Sequence, residues 1–266
     1  MSRSIVTLTT DFGSSDHYVG VMKGVILNIN PEAQIVDICH DISAYDVLEG
    51  AFSIAQAYRY FPPRTIHLVV VDPGVGTARR PILVAVDKYY FVAPDNGVLS
   101  LVYDREETAL VRHITSAYYF LEPVSQTFHG RDVFAPIAGW LSRLVDSDKF
   151  GEPITDFVRF HVPPPKRVNE RLLKGMVLRV DRFGTLVTNL TSEDMPQLFG
   201  ENPPDFKIVI GKTEITRLKT TYAQGAPGEV FAILGSSGYL EISANRGSAA
   251  ATLEVSKGAE VGVVLV

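Results

Sequence analysis

Carboxylate and imidazole side chains follow the predicted β-strands in the first half of the chain, at the point where each strand ends. Asp11 follows the first strand, His40 and Asp41 follow the second, and Asp72 follows the third. The sequence Asp95-Asn96-Gly97 follows a later strand. Each of these alone fits an ordinary turn, because Asp and Asn favour turns. Together they predict a polar binding site, since ligands of open α/β sheets bind beyond the carboxyl ends of the strands.

Two classes of ligand suit these side chains. A carboxylate at a strand end can accept both hydrogen bonds of a sugar diol. The chain has no Walker A sequence and no complete dinucleotide-binding glycine pattern, which favours a nucleoside without phosphates. The competing hypothesis is a metallohydrolase. Its donors would be Asp11, His40, Asp41, Asp72 and His129. No tight His and Asp pair has ligand spacing, and Arg79 closely follows Asp72, so we expect no metal and no cofactor.

A further histidine, His129, lies at the start of the last helix predicted in the first half, within Phe128-His129-Gly130-Arg131-Asp132. A single histidine in such a loop commonly caps or packs a helix. The helix N-terminus disfavours protonation, so a neutral imidazole stays available for hydrogen bonding. We interpret four other histidines as structural or exposed, namely His17, His67, His113 and His161.

The elements that must position these residues alternate between strand and helix. Apolar runs predict strands over 5–9, 34–38 and 66–71. Helical spacing of apolar residues predicts helices over about 19–29, 47–60 and 132–145. A hairpin is predicted over 82–92, with its turn at Asp87-Lys88. This pattern predicts an α/β domain whose sheet is mostly parallel, or mixed where the hairpin joins it.

The pattern changes after His161. Pro163-Pro164-Pro165-Lys166-Arg167 is typical of a stiff, exposed linker. No helical period follows it. The remaining short β-rich runs cover 176–180, 186–190, 206–210, 214–218, 230–234, 239–243 and 261–266. They predict a small antiparallel barrel or sandwich. We therefore expect an α/β domain over 1–162, a proline-rich linker over 163–170 and a β domain over 171–266.

Composition excludes several classes of protein. With 46% hydrophobic residues, the chain can bury a packed core. Its net charge of −5 disfavours a nucleic-acid partner, which usually needs a concentrated basic face. The single cysteine, Cys39, permits no intramolecular disulfide and is predicted to be a buried, inert thiol. The most apolar run, 68–71, is far too short for a membrane span, and residues 1–10 do not resemble a signal peptide. We expect a cytoplasmic protein without a membrane partner.

Six short motifs resemble those of the S-adenosylmethionine hydroxide adenosyltransferases, and their order spans nearly the whole chain. They are Thr10-Asp11-Phe12-Gly13, Asp72-Pro73-Gly74-Val75-Gly76 with Arg79-Arg80-Pro81, Pro94-Asp95-Asn96-Gly97, Phe128-His129-Gly130-Arg131-Asp132, Asp181-Arg182-Phe183-Gly184 and Ser236-Ser237-Gly238-Tyr239-Leu240. The resemblance implies a Rossmann-like N-terminal domain and a C-terminal β-barrel. It also implies a homotrimer whose active sites lie between the N-terminal domain of one subunit and the C-terminal domain of the next.

The activity that this resemblance implies is hydrolysis of S-adenosyl-L-methionine to adenosine and L-methionine, by attack of an activated water at the ribose C5′. Asp72, Arg79 and His129 match the residues that activate the water in this family. Two alternatives stay open. One is a halide-using relative that forms 5′-halo-5′-deoxyadenosine and differs at the positions of Asp72 and His129. The other is a protein that binds S-adenosylmethionine or adenosine without turnover.

The same resemblance assigns substrate contacts. Asp11 would bind the ribose diol and Asp181 the methionine ammonium. The remaining positions border the methionine carboxylate or the adenine: Thr185, Ser236, Ser237, Glu241 and Ala244. Two of them depart from the family pattern. Thr185 stands where relatives often have an asparagine that reads adenine. Ser237 stands where halogenating relatives have an arginine, which suits the water-using branch.

Overall fold

The computed structural model describes residues 4–200 and 203–266. The chain divides into two compact units, Met1–His161 and Val162–Val266. Both units contain a β-sheet, and most of the helices belong to the first, so the protein belongs to the mixed α/β class. Each unit has hydrophobic clusters of its own. No helix among the described residues has the length and apolar character needed to cross a membrane.

The sheet of the first unit contains seven strands in the described part of the chain. These are β1 (Ile5–Thr10), β2 (Gln34–Cys39), β3 (Ile66–Val70), β4 (Pro81–Ala85), β5 (Tyr90–Pro94), β6 (Leu110–His113) and β7 (Pro153–Ile154). Their order is β2-β1-β3-β5-β4-β6-β7. The first four strands in this order are parallel, and the other three are antiparallel to their neighbours. The predicted hairpin is confirmed as β4 and β5, whereas β6 and β7 were not predicted.

Helices cover both faces of this sheet. They are α1 (Tyr18–Ile29), α2 (Val47–Ala57), α3 (Ser100–Tyr103) and α4 (Ala135–Ser142). The bounds predicted for the last helix, 132–145, were wrong. A π-helical turn covers Gly130–Phe134 before α4 begins, and Leu144, with a φ of 64°, has a left-handed backbone that cannot continue the helix.

Alternate residues of the central strand face two separate hydrophobic layers. Leu68 and Val70 pack in one cluster with residues of α1 and α4. Val69, and Val71 just after the strand, pack in the other cluster with residues of α2. Because both faces of β3 are covered, its residues are fully buried and form the continuous apolar run seen in the sequence.

One histidine interrupts this run. The Nδ1 atom of His67 lies 2.7 Å from the Oγ1 atom of Thr7 on β1. The rings of Tyr58, Tyr89 and Phe91 surround it, with centroid distances between 5.0 and 6.2 Å. Burial lowers the pKa of His67 to about 3. This histidine therefore remains neutral and acts as a core side chain, one of the two roles predicted for it from the sequence.

The burial of His67 has a consequence for stability in acid. Above pH 6.5 the imidazole is neutral in both the folded and the unfolded chain. As the pH falls from 6.5 towards 3, the unfolded chain binds a proton that the folded chain refuses. The free energy of unfolding should then fall by up to ~1.4 kcal/mol per pH unit.

Urea denaturation between pH 7.5 and 4.5 would measure this slope. The double variant Thr7→Val/His67→Phe, which removes both partners of the buried hydrogen bond, should lose that part of the slope. The exposed His161, changed to Ala, serves as the control and should keep it. Equal slopes in the double variant and the original chain would contradict the assignment.

The described strands of the second unit form one nine-stranded sheet. They are β8 (Lys166–Arg167), β9 (Leu172–Val180), β10 (Leu186–Thr191), β11 (Phe206–Ile210), β12 (Thr213–Ile215), β13 (Leu218–Lys219), β14 (Val230–Leu234), β15 (Tyr239–Ala244) and β16 (Glu260–Leu265). The order is β12-β11-β16-β9-β10-β15-β14-β13, with β8 beside β9, and all pairs except β13–β14 are antiparallel. β12 approaches β14, so the sheet curls.

Two features of this unit differ from the prediction. The run 214–218 was predicted as one strand, but the chain forms β12 and β13 there, on different neighbours. The helix α5 (Ala249–Leu253) was missed, because five residues are too few to show a helical period. Its start is fixed by the Oγ atom of Ser248, which accepts a hydrogen bond from the Ala251 N–H.

Candidate active site

The carboxyl ends of three parallel strands bring the predicted strand-end residues to one edge of the first sheet. β1 pairs with β2 at Thr9 and Cys39, and with β3 at Thr10 and Val70. Asp11 and His40 directly follow β1 and β2, and Asp72 follows β3 after one residue, so all three lie at the same edge. This agrees with the prediction of a polar cluster at the carboxyl ends.

Asp72 and Arg79 form a buried ion pair across a turn. The Arg79 Nε atom donates to Asp72 Oδ1 over 3.1 Å, and the Nη2 atom donates to Oδ2. The two side chains are only 6% and 5% exposed. Gly76 gives the turn its shape, with a φ of 76°, and a Cβ atom there would collide with the carbonyl oxygen of Gln126. The turn is thus packed directly against the loop that precedes His129.

His129 completes the group. Its Nδ1 atom lies 3.1 Å from the Nη2 atom of Arg79. A guanidinium has no acceptor, so Nδ1 must accept, and the hydrogen of the neutral ring is on Nε2. Burial, together with the positive charge of Arg79, lowers the pKa of His129. At neutral pH this imidazole can therefore donate one hydrogen bond through Nε2.

The electrostatic environment makes the Asp72 carboxylate a better proton acceptor than an exposed one. Burial raises the pKa of Asp72, while Arg79, the Gly74 N–H and His129 oppose the rise. A carboxylate with a raised pKa binds a proton more readily. The Nη1 atom of Arg79 is also buried, and it has no hydrogen-bond partner among residues 4–200 and 203–266. One charged donor of the group therefore remains available.

Aromatic packing joins the loop of Asp11 to the loop of His129. The Phe128 ring lies 6.0 Å from the Phe12 ring and 5.2 Å from the Tyr18 ring, both edge to face. These rings are sequence neighbours of the polar residues. The Phe128–Asp132 motif has a structural part as well, because the buried Asp132 carboxylate accepts from the Ser125 N–H and from Arg131.

Asp11 itself is partly exposed and has one partner in the described chain. Its Oδ2 atom accepts a hydrogen bond from the Tyr45 N–H over 2.8 Å. Tyr45 has a φ of 68° and an exposed ring. Tyr45 was not predicted as a site residue, since its only signal in the sequence is its place in the short connection between β2 and α2. The other carboxylate oxygen of Asp11, Oδ1, remains available for a ligand.

In the second unit, the hairpin between β9 and β10 holds two of the predicted residues. The Oδ1 atom of Asp181 accepts hydrogen bonds from the N–H groups of Phe183 and Thr185, both over 2.9 Å. Thr185 is buried, and its hydroxyl already accepts a hydrogen bond from Ser243. Among the described residues, Asp181 therefore keeps one carboxylate oxygen without a hydrogen bond, and the Thr185 hydroxyl keeps its own hydrogen to donate.

Glu241 on β15 is a second buried carboxylate in this unit. Burial raises its pKa, and the negative charge of Asp181 raises it further, while the Tyr222 hydroxyl opposes the rise. The Tyr222 hydroxyl donates to Glu241 Oε2 over 3.1 Å. At Gly235 any Cβ atom would overlap the Glu241 carboxylate. Glu241 thus contacts the turn of Ser236 and also lies within electrostatic reach of Asp181.

The remaining predicted residues have plainer surroundings. Ser236 is exposed and Ser237 half-buried, in a turn closed by a hydrogen bond from the Gly238 N–H to the Gly235 carbonyl. Ala244, at the end of β15, is half-buried. Cys39 is also half-buried, so the prediction of a buried thiol was wrong, because β2 is an edge strand.

The other two strand-end carboxylates, Asp95 and Asp41, differ in their surroundings. The Asp95 carboxylate binds Arg80 and accepts from the Val158 N–H, so it holds the end of the first unit in place. Asp41 is exposed. Within the described ranges, no three His, Cys, Asp or Glu side chains come together in an arrangement that could hold a metal ion.

Comparisons with known proteins match both units. Residues 6–151 match the SAM hydroxide adenosyltransferase N-terminal domain, and residues 175–262 match the C-terminal domain of the same family. The (R)-S-adenosyl-L-methionine hydrolase of Methanocaldococcus jannaschii is 37% identical over 72% of this chain and 68% of its own length. The enzyme of the same name from Salinispora tropica is 34% identical over 95% of both chains.

A solved structure is similar along the whole chain. The crystal structure of an uncharacterized conserved protein from Thermotoga maritima superposes with a TM-score of 0.90. It is 36% identical and covers 98% of this chain and 99% of its own. The matched domains, the relatives and the order of the motifs agree, and the chain belongs to the SAM hydroxide adenosyltransferase family.

Proposed function

We propose that this protein hydrolyses S-adenosyl-L-methionine to adenosine and L-methionine. The observation that carries the proposal is the buried group of Asp72, Arg79 and His129, whose distances are those of a hydrogen-bonded unit. The names of the relatives from M. jannaschii and S. tropica support the same reaction.

In the proposed reaction, the oxygen of a water molecule attacks the ribose C5′. The bond between C5′ and sulfur breaks, and its electron pair returns to sulfur, which becomes the neutral thioether of methionine. The leaving group therefore needs no general acid. Water is a poor nucleophile unless its proton is drawn away, so the catalytic requirement is a base.

The three residues suit this requirement. The Asp72 carboxylate, with its raised pKa, would accept the proton of the water. Arg79 fixes the carboxylate through two hydrogen bonds and has a free Nη1 donor for the water oxygen. His129, neutral and protonated on Nε2, would complete the hydrogen bonds. Attack of a hydroxide-like oxygen on the C5′ of the positively charged sulfonium substrate cancels charge, so a dry pocket would favour the transition state. Positioning of the water would supply most of the remaining acceleration.

Substrate binding would use both units. The two carboxylate oxygens of Asp11, Oδ1 and Oδ2, would accept hydrogen bonds from the ribose diol. Asp181 would bind the methionine ammonium. Ser236 and Ser237 would donate to the methionine carboxylate, while Glu241 and Ala244 would border the adenine. The Thr185 hydroxyl accepts from Ser243 and keeps its own hydrogen, so at the adenine it would act as a donor.

We also infer a homotrimer, in which each site combines the first unit of one subunit with the second unit of another. Separately, we infer that the sheet of the second unit closes into a barrel. The family resemblance supports the first inference, and the approach of β12 to β14 supports the second. Light scattering should give three times the mass of the chain. Mixed subunits carrying Asp11→Ala and Asp181→Ala should regain activity that neither variant has alone; an active monomer would contradict the trimer.

The direct test incubates the purified protein with S-adenosyl-L-methionine and separates the products by chromatography. Adenosine and methionine should appear in equal amounts, and a chelator should leave the rate unchanged. Tight binding of the substrate without adenosine formation would instead identify a binding protein. Activity that a chelator abolishes and a divalent ion restores would overturn the metal-free mechanism.

A further inference from the structure

A chain of polar contacts runs from the surface of the first unit to the strand end that carries Asp11. The Lys23 ammonium donates to Asp37 Oδ2 over 2.6 Å. Asp37 Oδ1 lies 3.0 Å from the Nε2 atom of His40. The Nδ1 atom of His40 is 2.8 Å from the hydroxyl of Thr10.

The Asp37 carboxylate determines which atom of His40 carries the hydrogen. A lone pair on Nε2 would face the negative carboxylate, so the hydrogen is on Nε2 and Nδ1 is the acceptor. The Thr10 hydroxyl then donates to His40 and accepts from the Phe12 N–H over 3.3 Å. Thr10 is fully buried, and a buried hydroxyl that loses its partner is costly.

His40 holds the chain on both sides of Asp11. Its side chain binds Thr10, the residue before Asp11. Its carbonyl oxygen accepts a hydrogen bond of 2.8 Å from Gly13, two residues after Asp11. The His40 side chain is only 10% exposed. The backbone on both sides of Asp11 is therefore bound to His40, the residue that follows the neighbouring strand β2.

We propose that His40 is a positioning residue, which acts through Thr10 to aim the Asp11 carboxylate at the ribose hydroxyls of the substrate. The inference rests on the ribose-binding role proposed for Asp11. It assigns a function to a contact chain that the reaction at Asp72 does not use. Without the His40 side chain, Asp11 would keep its charge and its bond from the Tyr45 N–H, but the backbone before it would lose the contact through Thr10.

Binding of adenosine and of 2′,3′-dideoxyadenosine, measured by titration calorimetry, separates positioning from general structure. The quantity of interest is the ratio of the two dissociation constants, because only adenosine has the diol. Asp11→Asn should lower this preference for the diol by about 10- to 100-fold. His40→Ala should lower it by about 5- to 10-fold, with the affinity for the dideoxy compound changed less than about twofold.

Conservative variants provide the rescue. In His40→Asn the amide oxygen can replace Nδ1 as the acceptor for Thr10, so the preference should return to near its original value. Thr10→Ser keeps the hydroxyl and should also keep the preference, whereas Thr10→Val should lose it. The exposed His161→Ala serves as the control for histidine removal. The Thr10 pair decides the question if His40→Ala does not fold.

The outcomes distinguish the two proposals. If His40→Ala or Thr10→Val weakens both nucleosides equally, His40 is only structural and the inference is wrong. If Asp11→Asn leaves the preference unchanged, the ribose role of Asp11 is wrong and the inference falls with it. Hydrolysis of S-adenosyl-L-methionine by the unaltered protein would still stand in either case.

Discussion

Arg79→Lys and His129→Ala are expected to lower kcat by about 10²- to 10⁴-fold, with KM changed less than about threefold. Both residues contact Asp72 or each other, and in the proposed mechanism they act on the water and not on the adenosyl group. Lysine keeps the positive charge beside Asp72 but cannot make the paired hydrogen bonds of a guanidinium. Steady-state kinetics of adenosine formation would measure both constants.

The neighbouring arginine offers a matched control. Arg80 also binds a carboxylate, Asp95, but it belongs to the structural contacts of the first unit. Arg80→Lys should leave kcat within about threefold of the original value. Because the three residues act as a unit, the double variant Arg79→Lys/His129→Ala should be no slower than the slower single variant. A large rise in KM with kcat retained would assign both residues to substrate binding instead.

Halide ions are expected not to replace water as the nucleophile. A fluoride or chloride in the position of the water would lie beside the Asp72 carboxylate. Two like unit charges about 4 Å apart repel by roughly 4 kcal/mol at an effective dielectric constant near 20. That repulsion lowers occupancy by on the order of a thousandfold, since each ~1.4 kcal/mol is a factor of ten. Arg79 offsets part of it, so the figure is an upper bound.

The experiment supplies S-adenosyl-L-methionine with high fluoride or high chloride and measures 5′-halo-5′-deoxyadenosine. Formation of this product at a rate comparable to that of adenosine would overturn the assignment of water. Asp72→Ser provides the comparison, because it replaces the charge with a neutral hydroxyl. This variant should hydrolyse far more slowly, and chloride should compete better with water in it than in the original enzyme.

The sequence predicted the long elements of the fold better than the short ones. β1, α1 and the β4–β5 hairpin contain enough apolar residues in one pattern to show a period. β7, with two residues, and α5, with five, contain too few. The π-helical turn before α4 was also invisible, since its apolar residues continue the spacing of the helix that follows.

The candidate site was predictable where the residues are close in sequence or follow neighbouring strands. Asp72 and Arg79 are seven residues apart and share one turn. Other contacts depend on the register of the sheet, such as those between Thr10 and His40 or between Tyr222 and Glu241, 30 and 19 residues apart. No local pattern marks such a contact, so their partners appear only when the strands are paired.

Gly76 and the Gln126 carbonyl form a main-chain contact between the two loops of the site. The loop of Asp72 and Arg79 meets the loop of His129 through main-chain atoms, at a position where no side chain fits. This main-chain contact adds to the side-chain contact between Arg79 and His129. We expect a substitution at Gly76 to displace both loops, and substitutions at 72 and 129, which leave the main-chain contact in place, to displace them less. For a designer who varies the proposed site, Gly76 is therefore the position to leave unchanged.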